Sequence, residues 1–429
     1  MIKRPNVFSK SSHYLHCSFQ DQDDCNENMR LDWILFALPL VLASPLLNST
    51  DVSAAPLATE EKAFLSRWII TLNKGFLLEN VLDSILPAFG VGRSNVIYTY
   101  NLLDYQGIAI EVPILEIPLT DLILPLPSIK SVEKDTLVKI SAVSTQTNAP
   151  YGLARLSTRA NATGAVYNYD STAGTGAFAY VVDTGINTQH RDFQGRAILG
   201  ASFPSSQINS DGNGHGTHVA GTIGSATYGV AKKSTLIAVK VLSDSGSGYL
   251  SDVIAGIEWS VNNATASKRI GKSVMNLSLG SEKSQVVNDA ISAAVRAGMF
   301  VAVAAGNNGA DATNYSPASE PLACTVGAID SKNAAASFSS YGTILDIWAP
   351  GVSILSTWIG SNSATVTLSG TSMASPHIAG LAAAFYGQGF GGLGKEMCGL
   401  IQSLATRDII SPAPRGGSVN YVAYNGIGA

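Results

Sequence analysis

The segment AFAYVVDTGI, residues 177–186, is an uninterrupted apolar run that ends on a carboxylate, Asp183, and a turn, Thr184-Gly185. Runs of the same kind follow: TLIAVKVL at 235–242, SVMNLSL at 273–279 and MFVAVAA at 299–305. A strand without polar alternation is buried on both faces, the mark of a parallel sheet covered by helices. DVIAGIEWSV (252–261) and QVVNDAISAAVRA (285–297) supply helical spacing between the runs. The expected fold is therefore α/β, a mostly parallel central sheet with helices on both faces. In such sheets ligands bind beyond the carboxyl ends of the strands. That rule directs attention to Asp183, to the NLSLGS segment and to Asn307 behind VAVAAG.

Upstream, residues 60–140 alternate between strand-like RWIITL, VIYTY and GIAIEV and helix-like LLENVLDSIL, ending in SIKSVEKDTLVKI. This pattern suggests a small α+β domain. Pro113, Pro118, Pro125 and Pro127 shorten or distort any second helix there. The stretch VSTQTNAPYGLARLSTRANATG (143–164) is polar and lacks hydrophobic periodicity, so it reads as a linker or extended arm at a domain boundary.

At 429 residues the chain is long enough for two or three domains, and its 46% hydrophobic content can fill a sizeable core. Charged residues make up only 14% and the net charge is −4, which argues against nucleic acid or an anionic membrane as partner. Met29 and Arg30 precede LDWILFALPLVLASPLL, an apolar run suited to a signal-peptide core with cleavage after Ala43. Ahead of it, the polar residues 1–28 either reflect a start-site ambiguity or turn the apolar run into an internal anchor, and initiation at Met29 is favoured. Of four cysteines, Cys17 and Cys25 lie in that polar stretch, leaving Cys324 and Cys398 for the fold. They are buried thiols in a reducing compartment and a disulfide in an oxidising one.

Four residues stand in settings that suit chemistry. Asp183 ends a buried strand, where a carboxylate needs donors or a charge partner; alone it would pass as a turn residue. In DGNGHGTHVAGTIG (211–224), glycines flank His215 and permit close approach, whereas His218 falls one turn into the helix and reads as structural. In LSGTSMASPHIAGLAAAF (368–385), Ser372 opens a helix with Pro376 in its first turn. It reads as an N-cap or as a nucleophile whose own N–H faces the developing oxyanion. Asn307, on the AAGNNG loop, offers a second donor to that charge.

VVDTGI, GHGTHVAG, NLSLG, AAGNNG and SGTSMASPH resemble the motifs of the subtilase family of serine peptidases, in its proteinase-K-like subfamily. The order Asp, His, Ser is the subtilisin order. The resemblance covers about residues 144–429. It extends to QTNAPYGLAR, TYGVAKK, YSPASEPLACTVGA and LDIWAPG, while residues 60–140 are more faintly similar to the family's inhibitory propeptide. It implies a signal peptide at 29–43, a propeptide at 44–143 and a peptidase domain at 144–429. It also implies a triad of Asp183, His215 and Ser372, with Asn307 in the oxyanion hole.

Ser247, Gly248 and Tyr249 and, opposite them, Ser278, Leu279 and Gly280 would be the edges between which a peptide inserts as an extra strand. Ala304, Ala305 and Gly306 would line an uncharged pocket that favours apolar or aromatic side chains before the scissile bond. The expected product is a broad-specificity endopeptidase secreted outside the cell, or delivered to a vacuole or cell wall. It would be a monomer, inhibited by its own propeptide, acting on proteins and peptides without a catalytic cofactor, and free of the membrane once mature. Val219 stands where the subfamily often has a cysteine. One disulfide, Cys324 to Cys398, is implied.

A structural calcium site is implied at the carbonyls of Pro321 and Ala323 and the carboxylate of Asp346, the alternative being an Asp346 paired with a nearby donor. Sequons occur at Asn48, Asn161, Asn263 and Asn276; Asn161 and Asn263 are the better glycosylation candidates, because Asn276 lies in the substrate-edge strand.

Overall fold

The computed structural model describes residues 65–87, 91–102, 105–113, 123–135, 142–159, 165–204 and 210–427. The proposed signal peptide (29–43), Asn48 and Asn161 lie outside these residues. The described residues all belong to one compact unit.

Its first part is an antiparallel sheet in the order β2-β3-β1-β4, from β1 (Leu65–Leu72), β2 (Val96–Leu102), β3 (Tyr105–Pro113) and β4 (Ile129–Lys134). Helix α1 (Leu78–Ile85) places Val81, Leu82 and Ile85 against Ile70, Ile108 and Ile110 of the sheet, giving this part its own apolar core.

Within the stretch expected to be a linker or extended arm, residues 143–159 hold a strand and a helix. Strand β5 (Val143–Thr147) pairs with β6 (Val166–Asp170), and helix α2 (Tyr151–Leu156) follows β5. The burial of β5 alternates between exposed and half-buried. It is held by its backbone ladder rather than by an apolar face, so hydrophobic periodicity gave no sign of it.

The main sheet is built on β7 (Phe178–Asp183), β8 (Ala197–Ser202), β9 (Thr235–Lys240), β10 (Ser273–Leu277), β12 (Phe300–Ala304), β14 (Cys324–Ile329) and β15 (Ile347–Pro350). In space the order runs β15-β14-β12-β10-β7-β9-β8, every neighbour parallel. The short β16 (Thr406–Arg407) and β17 (Tyr421–Val422) extend it beyond β15, with β16 antiparallel. This is the expected α/β architecture.

Apolar residues on both faces of each strand explain the two-sided cover. Ala179 and Val181 of β7 face one core, which holds α3 (His215–Gly224), α6 (Thr371–Gln388) and α7 (Lys395–Leu404). Tyr180 and Val182 face the other, with α4 (Leu250–Ala266) and α5 (Gln285–Arg296). Helix α6 is buried almost all round, as its small apolar sequence requires. From β7 the chain moves outward to β8 and β9, then crosses to β10 on the other side of β7. The carboxyl ends of β9, β7 and β10 therefore frame a topological switch point. Among the described residues, no helix is long and apolar enough to cross a membrane.

Cys324, opening β14, is bonded to Cys398 on α7, a link that closes 74 residues of chain. Constraining a loop of that size in the unfolded state contributes about 4 kcal/mol. Replacing both residues, Cys324→Ala with Cys398→Ala, should lower the melting temperature by about 10 °C in a calorimetric scan. An unchanged transition would show that the link adds nothing.

Candidate active site

The carboxyl edge of the main sheet collects the residues singled out in the sequence. Asp183 closes β7 and is fully buried. Its Oδ1 accepts from the Thr184 N–H at 2.7 Å and from His215 Nδ1 at 2.8 Å. A carboxylate acceptor fixes the imidazole proton on Nδ1 and leaves the Nε2 lone pair to accept one. Oδ2 is buried with no hydrogen-bond partner among the described residues, so His215 is the one side-chain donor to this carboxylate. Burial lowers the imidazole pKa, but the charge and hydrogen bond of Asp183, with Asp211 behind it, outweigh burial and hold it above the ordinary 6.5.

His215 opens α3, and the loop before it is set by Asp211, which the sequence reading did not single out. Asp211 Oδ1 accepts from the Asn213 and Gly214 N–H groups and from Thr184 Oγ1, while Oδ2 accepts from Thr217 N and Oγ1 at 2.8 and 2.6 Å. One buried carboxylate thus caps the helix and ties it to the turn after Asp183. Thr184 Oγ1 in turn accepts from the Gly216 N–H at 2.9 Å. The approach is close enough that a Cβ on Gly216 would come within 2.2 Å of the Gly185 carbonyl, so glycine is required there. The visible signal was an Asp four residues before a glycine-flanked His.

The other two histidines of these motifs serve packing. His218 donates from Nε2 to the Ile354 carbonyl at 3.0 Å, as its place one turn into the helix suggested, and burial lowers its pKa to about 4. His377 is also buried, and burial lowers its pKa to about 4.

Ser372 is the second residue of α6, so its N–H belongs to the first turn, where helix donors have no internal partner. Its hydroxyl donates to the Ser278 carbonyl at 3.1 Å, and Ser278 Oγ donates back to the Ser372 carbonyl at 2.9 Å. The hydroxyl is therefore not bonded to His215; it must leave Ser278 before giving its proton to an imidazole. Asn307, beyond the end of β12, accepts at Oδ1 from both Thr371 N and Thr371 Oγ1, at 2.8 and 2.9 Å. Fixing the oxygen this way fixes the amide NH2 on the other side, beside the first turn of α6.

Two cavities meet at this edge. The first, of about 410 Å³, is lined by Leu279, Gly280, Ala304, Ala305, Gly306, Asn307 and Ser372, and also by Tyr315 and Glu282. The second, of about 430 Å³, is lined by His215, Thr184, Ser247, Gly248, Ser278, Leu279 and Gly280. Leu279 and Gly280 thus border both cavities, and Ser278 the second. Tyr249 lines neither and stands 79% exposed. Segment 304–306 is uncharged as read, but the cavity it lines is not, because Glu282 of β11 (Ser281–Glu282) pairs with Tyr315 of β13 (Tyr315–Ser316) at its wall. Such two-residue strands carry no periodic signal.

Asn276 is buried, with its amide donating to Ser278 Oγ, which excludes a glycan. Asn263 lies inside α4 and its Oδ1 accepts from Tyr180 and Arg269, a packed helical position unlike the surface loop a sequon favours. Of the two readings of Asp346, calcium ligand or carboxylate paired with a nearby donor, the contacts support the second. Lys395 Nζ lies 2.6 Å from both the Ala323 carbonyl and Asp346 Oδ1. Asp346 is thus paired with a protein donor, and the set Pro321, Ala323 and Asp346 does not fit a calcium ion.

The sequence profile of the subtilase family matches residues 174–405. The subtilisin-like serine protease AsES of Sarocladium strictum is 46% identical over 400 residues, covering 93% of this chain and 99% of its own length. The alkaline serine protease ver112 of Corniculantispora psalliotae is 44% identical over 412 residues, covering 93% of this chain and all of its own. Among solved structures, a cold adapted subtilisin-like serine proteinase matches with a TM-score of 0.61 at 42% identity, covering 65% of this chain and 99% of its own. With the Asp-His pair, the helix-opening serine and the parallel sheet that positions them, these likenesses place the chain in the subtilase family, as a subtilisin-like serine protease of the proteinase-K-like kind.

Proposed function

We propose that Asp183, His215 and Ser372 form the catalytic triad of a broad-specificity endopeptidase made as a secreted, self-processed precursor. The observation that carries this reading is the buried Asp183 Oδ1 to His215 Nδ1 contact of 2.8 Å at the edge where α6 presents Ser372. His215 Nε2 takes the proton of Ser372, whose oxygen attacks the scissile carbonyl; Asp183 stabilises the imidazolium, and water resolves the acyl-enzyme. The Ser372 N–H and the Asn307 amide hold the oxyanion. Release of the Ser372 hydroxyl from Ser278 accompanies substrate entry, because the Ser278 carbonyl lies on an edge where a peptide strand would pair.

Segments 247–249 and 278–280 bind that strand, with Tyr249 at the rim. Residues 44–143 act as propeptide and intramolecular inhibitor, cleaved near Ser144. In support, the small sheet at residues 65–134 has its own core, and the likeness to relatives spans 93% of the chain. Export through residues 29–43 is consistent with the disulfide.

A specific feature refines the specificity. Leu279, Tyr315 and Ala318 suit apolar or aromatic side chains before the scissile bond, and the Glu282 carboxylate at the same cavity adds attraction for a positively charged tip. Basic residues are then accepted beside apolar ones. An exposed charge pair at such a rim is worth about two- to fivefold. In a peptide series varied at that position, Glu282→Gln should lower the Lys-to-Phe ratio of kcat/KM by that factor; an unaltered ratio would exclude Glu282 from recognition.

Expression of the chain with and without Ser372→Ala, assayed on protein and ester substrates and for precursor processing, tests the main reading. The variant should lose about a millionfold in kcat and accumulate unprocessed. Ester cleavage without proteolysis by the parent would point to an esterase, and an inactive, unprocessed parent to a binding protein. Asn307→Ala should cost about a hundred- to a thousandfold in kcat, the size known for such a donor in subtilisin.

The pH profile should follow His215, which must be neutral to act as base. Its pKa is raised above 6.5, so kcat/KM should fall as pH drops through a midpoint above that value. Asp183→Asn, by removing the charge that raises it, should move the surviving acid limb to lower pH. A limb that stays in place would uncouple Asp183 from the base.

A further inference from the structure

Helix α7 carries Lys395, Cys398 and Gln402 at positions i, i+3 and i+7, a single face. All three side chains fasten to one corner where β14 and β15 begin. Lys395 Nζ donates to the Ala323 carbonyl and to Asp346 Oδ1, at 2.6 Å each. Cys398 is bonded to Cys324. Gln402 Nε2 donates to the Asp346 carbonyl at 2.9 Å and, more distantly, to Oδ1 at 3.3 Å. The remaining carboxylate oxygen, Oδ2, accepts from the Thr325 N–H at 2.9 Å.

This corner has the look of a cation site, with Cys324, Asp346 and Cys398 placing ligand atoms within 4.8 Å of one another. The two sulfurs, however, are bonded together and offer no thiolate. Each Asp346 carboxylate oxygen already receives a donor, and donors aim positive hydrogen at the place an ion would occupy. The charges also balance: one ammonium against one carboxylate is neutral, whereas a divalent ion there would leave an uncompensated positive charge. Lys395 stands, moreover, in the first turn of α7, the end where the helix dipole disfavours a cation. Its position is explained by its partners rather than by the helix.

We infer that Lys395 is a tethered cation that does, at this corner, the work of a bound divalent ion, so that stability there depends on no calcium. The ammonium draws the Ala323 carbonyl and the Asp346 carboxylate together, and Gln402 and the disulfide hold α7 in the register that keeps it there. The inference is independent of the catalytic reading.

The test uses the full chain with Ser372→Ala, which removes self-digestion, and compares it with versions that also carry Asp346→Asn or Lys395→Met. Melting temperatures are read with EDTA and with added calcium. The parent and the Asp346→Asn chain should show the same shift between the two conditions. Lys395→Met should melt about 5 °C lower in EDTA, from loss of a half-buried pair whose carboxylate is left without its cation. It should also gain a calcium-dependent rise that the parent lacks at this corner. A chelator-induced fall in the parent that Asp346→Asn abolishes would overturn the inference, as would a Lys395→Met chain that melts like the parent in EDTA. Should Lys395→Met fail to fold, equilibrium dialysis of calcium against the parent and Asp346→Asn decides alone: equal stoichiometry supports the inference, and one ion fewer in Asp346→Asn refutes it.

Discussion

The burial of α6 on every side is the constraint from which the site follows. A helix with a small apolar sequence has no face for water, so it must run through the core against β7, β10, β12, β14 and β15. Its entry into that core lies at the carboxyl edge of the sheet, and the residue at the entry is Ser372. Thr371 N–H is taken by Asn307 Oδ1 and Met373 N–H by the Gly370 carbonyl, and the Ser372 N–H between them, in the turn where helix donors lack a carbonyl four residues back, is turned toward the same edge. Ser372 and its N–H, the proposed nucleophile and oxyanion donor, are thus placed by packing, at no separate conformational cost.

The histidine is placed by polar contacts instead. Asp211 gathers donors from Thr184, Asn213, Gly214 and Thr217, so the loop before α3 is wound about one buried carboxylate. Thr184 belongs to the turn after Asp183, and it relays that order to the strand end. Asp183 and His215 therefore meet through two routes, their own hydrogen bond and the Asp211 network behind it. Such redundancy keeps the imidazole in one orientation, with its far nitrogen left for the proton exchange proposed for it.

Much of this was legible in the sequence because the informative residues lie inside local patterns. Asp183 ended an apolar run, His215 sat between glycines, and Ser372 opened a helix; each pattern spans fewer residues than one element. What stayed illegible depends on distance along the chain or on very short elements. Lys395 meets Asp346 across 49 residues and Ala323 across 72, and nothing near Lys395 marks it as a cation in search of oxygens. Glu282 reaches the first cavity through a two-residue strand, and β5 is polar enough to pass for a linker. The calcium ligand set was read without Lys395 for the same reason, since two of its three oxygens accept from a residue on a helix the ligand motif does not include.

The tethered ammonium at the β14–β15 corner changes what the protein requires of its surroundings. An ion's contribution to stability grows with the logarithm of its free concentration and fades when the medium is dilute or rich in competing chelators. A side chain is present in every copy at the same effective concentration, from the moment the helix docks. A corner that carries its own cation is indifferent to the mineral content of the place where the protein works, and in exchange depends on one lysine staying chemically unmodified.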